Sequence, residues 1–216
     1  MIGRVDLHLH STASDGRFSP SELVAMALER GLLAIAITDH DTTAGIDEAV
    51  EAARGTGLEL IPGVEISCDL PGQELHILGY YIDHHDPRLE RKLAAFRQAR
   101  LQRARGMLRK LAALGLPLEW ETVVELAGDG SVGRPHIAQA MIRKGYVASA
   151  DEAFDLYIGR NGPAYVERYK LSPVDAVSLI KEARGLPVLA HPLKVTQFLP
   201  SLIERGLVGL EVYYGG

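Results

Sequence analysis

The chain has 216 residues, of which 47% are apolar and 24% are charged, and its formal net charge is −5. This composition is ordinary for a globular protein, and a net acidic chain is a poor candidate for coating nucleic acid through bulk electrostatics. No apolar run approaches the roughly 20 residues that span a bilayer, so we expect no membrane partner. The single cysteine, Cys68, excludes an intramolecular disulfide framework and a cysteine-rich zinc site, and the cytoplasm is the expected location.

The first part of the chain alternates between strand and helix patterns. Strands are predicted at 5–9, 33–37 and 58–61. The helix between the first two strands begins at a capping box formed by Ser19 and Glu22 and ends near Gly31, and a second helix is predicted at 44–54. Strand–helix–strand repeats of this length imply a parallel sheet with right-handed crossovers.

A hairpin pattern and a long helical stretch follow. Segments 64–68 and 74–82 flank a Pro-Gly turn and predict two adjacent strands. Helices are then predicted at 86–114, 118–126, 135–144 and 150–158. Because no strand pattern occurs between about 84 and 162, we interpret residues 85–162 as a helical insert, or lid, in a discontinuous domain formed by 1–84 and 163–216.

The strand and helix alternation resumes after the insert. A helix begins at Ser172, where proline follows the capping serine, and it runs to Arg184. A strand at 188–190, a short helix near 198–205 and a strand at 208–213 complete the pattern.

Histidine and carboxylate side chains recur where these strands end. They are His8, His10, Asp15, His40, Glu65, His76 and His191. His8 and His10 share one face of the first strand because side chains alternate along a strand. In barrels of parallel strands the carboxyl ends of the strands converge on one rim, so we expect the cluster to assemble there.

Nitrogen and oxygen ligands without sulfur suit Zn²⁺, Mn²⁺, Fe²⁺ or Mg²⁺. A carboxylate such as Glu65 can bridge two ions about 3.5–4 Å apart, which is the arrangement that two-metal phosphoesterases use. The residue types therefore predict metal-assisted hydrolysis in which no protein nucleophile is required. Asp6, Asp39 and Asp41 are expected to orient ligands or cap loops.

The motifs together resemble the PHP (polymerase and histidinol phosphatase) superfamily of metal-dependent phosphoesterases. They are Asp6–Ser11, Ser14–Gly16, Ile37–Asp41, Pro62–Ser67, Glu74–Tyr80 and Ala190–Pro192. In the insert, Gly133–Ala138 and Gly162–Val166 are similar to the branch of nucleoside 3′,5′-bisphosphate phosphatases that includes exoribonucleases of the RNase AM type. The resemblance implies a distorted (β/α)7 TIM-like barrel with a helical insert.

The resemblance also implies roles for the clustered residues. One metal would be bound by His8, His10 and Glu65, a second by Glu65, His76 and His191, and a third by Asp15 and His40. Asp15, His40, Glu65 and His191 are the expected catalytic residues. Two or three divalent ions are expected, with Mn²⁺ first and Zn²⁺, Fe²⁺ or Mg²⁺ as alternatives.

One departure from the family pattern stands out. The family closes its site with a Gly-Ser-Asp-x-His motif, which would add an aspartate ligand and a histidine ligand, and this sequence does not contain it. Because the apolar strand at 208–213 is followed by nothing to cover it, we expect a fragment with a barrel incomplete at its C-terminal end. An incomplete and weakened enzyme is the alternative.

Substrate-binding residues are predicted in the insert. Arg134 and His136 stand at a helix start, where backbone N–H groups and a guanidinium favour phosphate, although an ordinary exposed helix start has the same pattern. Arg160 and Asn161 are predicted to join them, and Lys194 is a further candidate. The many basic residues of the first insert helix indicate either a solvated face or a strip that guides an oligonucleotide.

These observations predict a metal-dependent phosphoric ester hydrolase. We expect it to act on nucleoside 3′,5′-bisphosphates, to remove nucleotides from 5′-phosphorylated short single-stranded RNA, or both, and we expect no protein partner. A histidinol-phosphate-type phosphomonoesterase and a non-catalytic nucleic-acid-binding module with structural metals are the alternatives. An amidohydrolase also begins with His-x-His on a barrel strand, but no bridging lysine is evident.

Overall fold

A computed structural model of the chain describes residues 4–70, 73–128, 132–167, 171–192 and 196–213. The chain forms two compact units, Met1–Ala94 with Lys170–Gly216 and, separately, Ala95–Tyr169. Compactness alone does not define a domain that folds by itself, so the domain division at 84/85 and 162/163 stays a prediction. Within the described residues, none of the helices has both the length and the apolar character of a membrane span.

The described strands of the first unit form one curled, half-barrel sheet of six strands in the order β1-β2-β3-β4-β5-β6. They are β1 Arg4–Leu9, β2 Leu32–Ile37, β3 Glu59–Leu70, β4 Gln73–Tyr80, β5 Leu186–Leu189 and β6 Gly209–Leu210. β4 runs antiparallel to β3 and β5, whereas β1–β2, β2–β3 and β5–β6 are parallel pairs. The α/β class is confirmed, and a seventh barrel strand stays a prediction.

Eight α-helices lie in the described parts of the chain. They are α1 Pro20–Glu29, α2 Ile46–Ala53, α3 Pro87–Ala113, α4 Trp120–Ala127, α5 Arg134–Arg143, α6 Ala150–Ala153, α7 Pro173–Glu182 and α8 Leu199–Arg205. The predicted capping box of α1 is present, because Glu22 N–H donates to Ser19 Oγ at 3.2 Å and Ser19 N–H donates to Glu22 Oε2 at 2.8 Å. These two bonds satisfy donors that the first helical turn leaves without helical partners.

The prediction of one continuous α-helix at 150–158 is wrong for its second half. α6 ends at Ala153, and Phe154–Ile158 forms a π-helical turn in which Gly159 N–H donates to Phe154 O at 2.8 Å. A side chain at Gly159 would not fit, because a Cβ there would lie 2.3 Å from the same oxygen. The glycine therefore permits the wider winding, which apolar periodicity does not reveal.

β3 joins the two strands predicted at 58–61 and 64–68 into one continuous strand, and Glu65 lies inside it. Its residues up to Pro62 pair with β2, and from Gly63 onward they pair with β4. A Cβ on Gly63 would lie 2.8 Å from Thr38 Cγ2 and 2.9 Å from the Ile37 carbonyl oxygen. Gly63 therefore lets two backbones approach closely where the strand changes partner. β6 is shorter than predicted, since only Gly209–Leu210 of the segment 208–213 forms a ladder.

Separate apolar cores support the two units. In the first unit, α1 and α2 pack against the sheet through buried residues that include Val24, Ile35 and Ile37. In the second unit, Met107 and Leu111 of α3 lie in a buried cluster with Ile137 and Met141 of α5. Each fully buried side chain of this size contributes about 1.5–3 kcal/mol to folding.

We expect Gly63→Ala to lower the free energy of unfolding by about 1–3 kcal/mol, because the new methyl group would press on the Ile37 carbonyl as well as on Thr38. Urea denaturation followed by circular dichroism measures this loss. Gly209→Ala is the matched control in a strand, since its Cβ would meet only Val188 side-chain atoms, at 3.3 Å and 3.8 Å. Equal losses for the two variants would contradict the close approach at Gly63.

Candidate metal centre

One buried carboxylate, Glu65, lies at the centre of five imidazole rings. Its side chain is 1% exposed. Glu65 Oε2 lies 3.2 Å from His8 Nε2, 3.1 Å from His10 Nε2 and 3.2 Å from His40 Nδ1. Glu65 Oε1 lies 2.7 Å from His76 Nδ1 and 3.4 Å from His191 Nε2. The structure therefore brings all five predicted histidines to a single carboxylate.

Asp15, the seventh predicted site residue, lies at the edge of this cluster. Its carboxylate oxygens lie 3.5 Å from His10 Nδ1 and 3.8 Å from His40 Nε2. Gly16 N–H donates to the Ser11 carbonyl at 2.9 Å, and a Cβ on Gly16 would lie 2.0 Å from the His10 carbonyl oxygen. This tight turn brings Asp15 back toward the histidines that precede it.

Backbone pairing beyond β2 places His40 beside Glu65. The segment after β2 continues along β3 through a bridge between His40 and Glu65, in which Asp41 N–H donates to Glu65 O at 3.0 Å. Glu65 N–H donates in turn to Asp39 O at 3.2 Å. On the other side, Ala190 N–H donates to His76 O at 3.0 Å, which brings His191 next to His76. Main-chain hydrogen bonds thus set the positions of three of the rings.

Asp39 anchors the loop that carries His10 and Asp15. Its buried carboxylate accepts hydrogen bonds from Ser11 N–H at 2.7 Å and from the hydroxyls of Ser11 and Ser14 at 2.6 Å each. These bonds direct Asp39 toward the loop rather than into the imidazole cluster. Asp39 therefore supports the cluster from outside, in the way that carboxylates near metal ligands commonly do.

The electrostatics of the cluster favour positive charge around Glu65. Burial raises the pKa of the Glu65 carboxyl, but the charges of His40 and His76 and hydrogen bonds from His10 and His191 hold it well below its ordinary value. Burial lowers the pKa of His8, and hydrogen bonds and charges from Glu65 and Glu211 outweigh it and raise that pKa to about 9. In the metal-free chain, a proton on His8 helps to balance the buried carboxylate.

Glu211 is a residue of the site that the sequence analysis missed. Its Oε1 lies 2.8 Å from His8 Nδ1, and its Oε2 accepts a hydrogen bond of 2.8 Å from His191 N–H. His191 has a φ of +31°, a conformation that non-glycine residues adopt rarely and only where their surroundings hold them. Glu211 therefore positions two rings at once. An acidic residue near the end of the otherwise apolar strand pattern at 208–213 was the signal for it.

The donor set fits divalent metal ions. Within this cluster, three groups of side chains have ligand atoms within 4.8 Å of one another: His8 with His10 and Glu65, His10 with Asp15 and His40, and His40 with Glu65 and His76. Among the described residues, the buried Nδ1 of His76 has no hydrogen-bond partner, although it lies 2.7 Å from Glu65 Oε1. A nitrogen lone pair that is close to a carboxylate and makes no hydrogen bond suits a shared cation. The cluster lines a cleft of about 1260 Å³.

Comparison with known proteins gives the family. The model of the PHP domain matches residues 6–127, which is more than half of the chain. The chain belongs to the PHP family. Its assignment to the superfamily from sequence motifs is confirmed, and so is its likeness to the nucleotide-processing branch.

Two relatives of this PHP chain act on nucleic acid or nucleotides according to their names. A 5′-3′ exoribonuclease of Haemophilus influenzae is 40% identical over 90% of this chain and 70% of its own length. A 3′,5′-nucleoside bisphosphate phosphatase of Chromobacterium violaceum is 35% identical over 99% of this chain and 75% of its own length. A structure of a proposed metal-dependent phosphoesterase of Bifidobacterium adolescentis superposes with a TM-score of 0.88 at 32% identity, covering 99% of this chain and 78% of that one. This PHP chain is thus a metal-dependent phosphoesterase by family.

The predicted substrate-binding residues of the PHP chain lie in its second unit. Arg134 begins α5 and lies over the Phe154 ring, with 5.3 Å between its Cζ and the ring centroid. His136 is buried, and its Nδ1 accepts a hydrogen bond of 3.0 Å from Gly133 N–H, so it caps the helix that it was predicted to serve. Arg160 and Asn161 lie in the turn after the π-helical segment. Lys194 lies outside the described residues.

The basic residues of α3 are partly used within the second unit. Arg103 Nε donates to the Val166 carbonyl at 2.8 Å, and its guanidinium lies 5.2 Å from the centroid of Tyr165. Arg105 lies over Trp120, with its Cζ 4.8 Å from the ring centroid. Arg103 is buried and helps to hold the unit together, so it does not form part of a freely solvated strip, whereas Arg105 stays exposed. The predicted guidance of an oligonucleotide would have to rest on the other basic residues of the helix.

We expect Glu211→Gln to weaken metal binding by this PHP chain about 10- to 100-fold, which is the usual cost of losing a carboxylate that orients a ligand imidazole. The reason is that the amide loses the charge that faces His8 Nδ1 at 2.8 Å. Calorimetric titration of the metal-stripped chain with Mn²⁺ measures the change. Glu204→Gln, which removes an exposed acid from α8, is the control and should bind as the wild type does. Unchanged binding by Glu211→Gln would exclude a positioning role.

Proposed function

We propose that this protein hydrolyses the phosphate ester of nucleoside 3′,5′-bisphosphates and removes nucleotides from the 5′ end of short 5′-phosphorylated RNA. The observation that carries the proposal is the buried Glu65 carboxylate with five imidazole nitrogens within 3.4 Å of its oxygens. The names of the relatives, an exoribonuclease and a bisphosphate phosphatase, support this substrate class.

We propose that two or three divalent ions, Mn²⁺ in preference to Zn²⁺, Fe²⁺ or Mg²⁺, are bound around Glu65. His8, His10 and Glu65 would hold one ion, and Asp15 with His40 and His10 would hold another. His76 would share Glu65 in a further site with His40 or with the more exposed His191. When bound, such ions lower the pKa of water and neutralise phosphoryl oxygens.

The residues around the ions have separate tasks in this proposal. Glu65 stays ionised, so its carboxylate can interact with two cations at once. Glu211 keeps His8 in one orientation through Nδ1, which leaves Nε2 directed at Glu65. Burial and the charges of Glu211 and Glu65 raise the pKa of Tyr80, which lines the same cleft, so its hydroxyl keeps its proton and can donate to a phosphate oxygen.

Arg134 is the residue that we propose for the phosphate that does not react. A guanidinium at a helix start offers two parallel N–H donors together with the positive end of the helix dipole. The backbone N–H groups of α5 and the side chains of Arg160 and Asn161 would add further donors. His136 would contribute to substrate binding only through the ring edge that does not cap the helix.

We also propose the type of barrel and the cellular location. We infer that the six described strands belong to a (β/α)7 barrel of the PHP type, since the sheet order follows the chain without interruption. We infer a cytoplasmic location from the single buried cysteine, which suits a reducing compartment.

Metal removal tests the catalytic proposal directly. We expect the chelated protein to release no phosphate from adenosine 3′,5′-bisphosphate and Mn²⁺ to restore turnover, whereas Glu65→Gln should stay inactive with added Mn²⁺. Glu51→Gln is the control for loss of one acidic charge, because Glu51 is exposed on α2 and pairs with Arg54. Phosphate release and shortening of a 5′-phosphorylated RNA measure the two activities. No turnover of either substrate by the metal-loaded wild type would favour a non-catalytic metal-binding module.

A substrate that lacks the second phosphate tests the role of Arg134. We expect Arg134→Gln to raise the KM for a 3′,5′-bisphosphate about 10- to 100-fold, the equivalent of losing a hydrogen bond to a charged group, with kcat changed little. For a nucleoside monophosphate the same variant should match the wild type, since the second phosphate is missing. Arg143→Gln, at the other end of α5 and paired with Glu125, is the matched control. An equal effect on both substrates would rule out contact with the non-reacting phosphate.

A further inference from the structure

A second group of potential metal ligands lies apart from the Glu65 cluster. Asp47 is in the first turn of α2, and His84 and His85 are consecutive residues of the turn that follows β4. The ligand atoms of the three side chains lie within 4.8 Å of one another. None of the three lines the cleft that contains Glu65.

The distances in this group match those between ligands of one ion. His84 Nε2 lies 3.1 Å and His85 Nε2 lies 3.4 Å from the same oxygen, Asp47 Oδ1. Two ligands bonded at about 2.0–2.1 Å to a tetrahedral ion are separated by roughly 3.3 Å. The two rings also lie side by side, with 4.1 Å between their centroids, so both Nε2 atoms face the same oxygen.

The turn that carries the two histidines is held by backbone hydrogen bonds. Asp83 N–H donates to the Ala183 carbonyl at 2.8 Å, and Asp86 N–H donates to Asp83 O at 3.0 Å. His85 N–H donates to Asp83 Oδ1 at 3.2 Å. Because the backbone on both sides of the pair is fixed, little ordering is needed for the rings to act together. Such preorganisation lowers the entropic cost of binding an ion.

Hydrogen bonding alone accounts for only part of this arrangement. The contact between His84 and Asp47 satisfies the geometry of a hydrogen bond at 3.1 Å. Asp47 is 71% exposed, so water can solvate its carboxylate, and an exposed ion pair with a histidine contributes about 0–1 kcal/mol. Two rings gathered on one solvated oxygen therefore gain little unless a cation is shared among them.

We propose that Asp47, His84 and His85 form a second divalent-metal site, selective for Zn²⁺ or Ni²⁺ over Mn²⁺ and Mg²⁺. Two imidazole nitrogens and one carboxylate are ligands that Zn²⁺ and Ni²⁺ prefer, whereas Mn²⁺ and Mg²⁺ favour oxygen. Water fills the remaining coordination positions, because the site is open to solvent. The bound ion ties the first turn of α2 to the turn after β4. This site stands independently of the proposed catalytic function.

Counting bound ions tests the site. The metal-stripped full chain is titrated with Zn²⁺ in a calorimeter and compared with the double variant His84→Ala/His85→Ala. The double variant should bind one equivalent fewer than the wild type and should keep the Mn²⁺-dependent phosphate release unchanged. Glu51→Gln, on the same helix as Asp47, is the control and should bind the full number. An equal number of ions bound by the wild type and the double variant would overturn the proposal.

A conservative substitution gives a second, independent measurement. Asp47→Asn keeps an oxygen that accepts a hydrogen bond from His84 but removes the charged metal ligand. We expect Zn²⁺ to bind this site at least about 10-fold more weakly in the variant, since each 1.4 kcal/mol of lost binding is tenfold. Zn²⁺ should also raise the thermal unfolding midpoint of the wild type more than that of Asp47→Asn. The same Zn²⁺ affinity and the same thermal shift in both proteins would mean that the three side chains only hydrogen-bond.

Discussion

The structure of the site depends on one constraint, the burial of the Glu65 carboxylate. Moving an unpaired carboxylate out of water costs several kcal/mol, and the group would become protonated if no positive charge were near. Surrounding imidazoles do the opposite, because the charges of His40 and His76 and hydrogen bonds from His10 and His191 keep the pKa of Glu65 well below its ordinary value. The site therefore requires cations, and a proton on His8 is one of them when no metal is bound, because Glu65 and Glu211 raise the pKa of that ring to about 9. Glu65 also raises the pKa of His10.

This requirement explains features of the backbone that otherwise look unrelated. Five rings can reach one carboxylate only if chain segments far apart in sequence approach within a few ångströms. Gly63 lets β3 change partner just before Glu65, and Gly16 lets the loop after β1 turn back tightly on His10. Asp39 and Glu211 then fix the loops at either side through bonds of 2.6–2.8 Å to groups next to the ligands. Close-approach glycines and buried supporting carboxylates are thus consequences of the same charge cluster.

The sequence predicted the membership of the cluster better than its internal geometry. The two-residue period of a strand placed His8 and His10 on one face, and the convergence of strand ends brought Glu65 and His191 together across 126 positions. Glu211 escaped prediction because a carboxylate just after an edge strand has the same local pattern whether it faces solvent or a histidine. The change of partner at Gly63 was also hidden, since a Pro-Gly pair more often marks a turn. How the ligands divide among ions depends on differences in distance of less than one ångström, which no residue pattern encodes.

The histidine groups around Glu65 and Asp47 contain similar ligand types but differ in burial. Glu65 is 1% exposed, so its imidazoles and any ions are needed to offset its desolvation whatever else the site does. Asp47 is 71% exposed, so water already stabilises its charge, and His84 and His85 gain little from contacting it. At Glu65 the protein therefore needs a cation for its own stability, and binding is coupled to the integrity of the fold. At Asp47 the fold is formed with or without an ion, and only the preorganised spacing of the ligands favours binding.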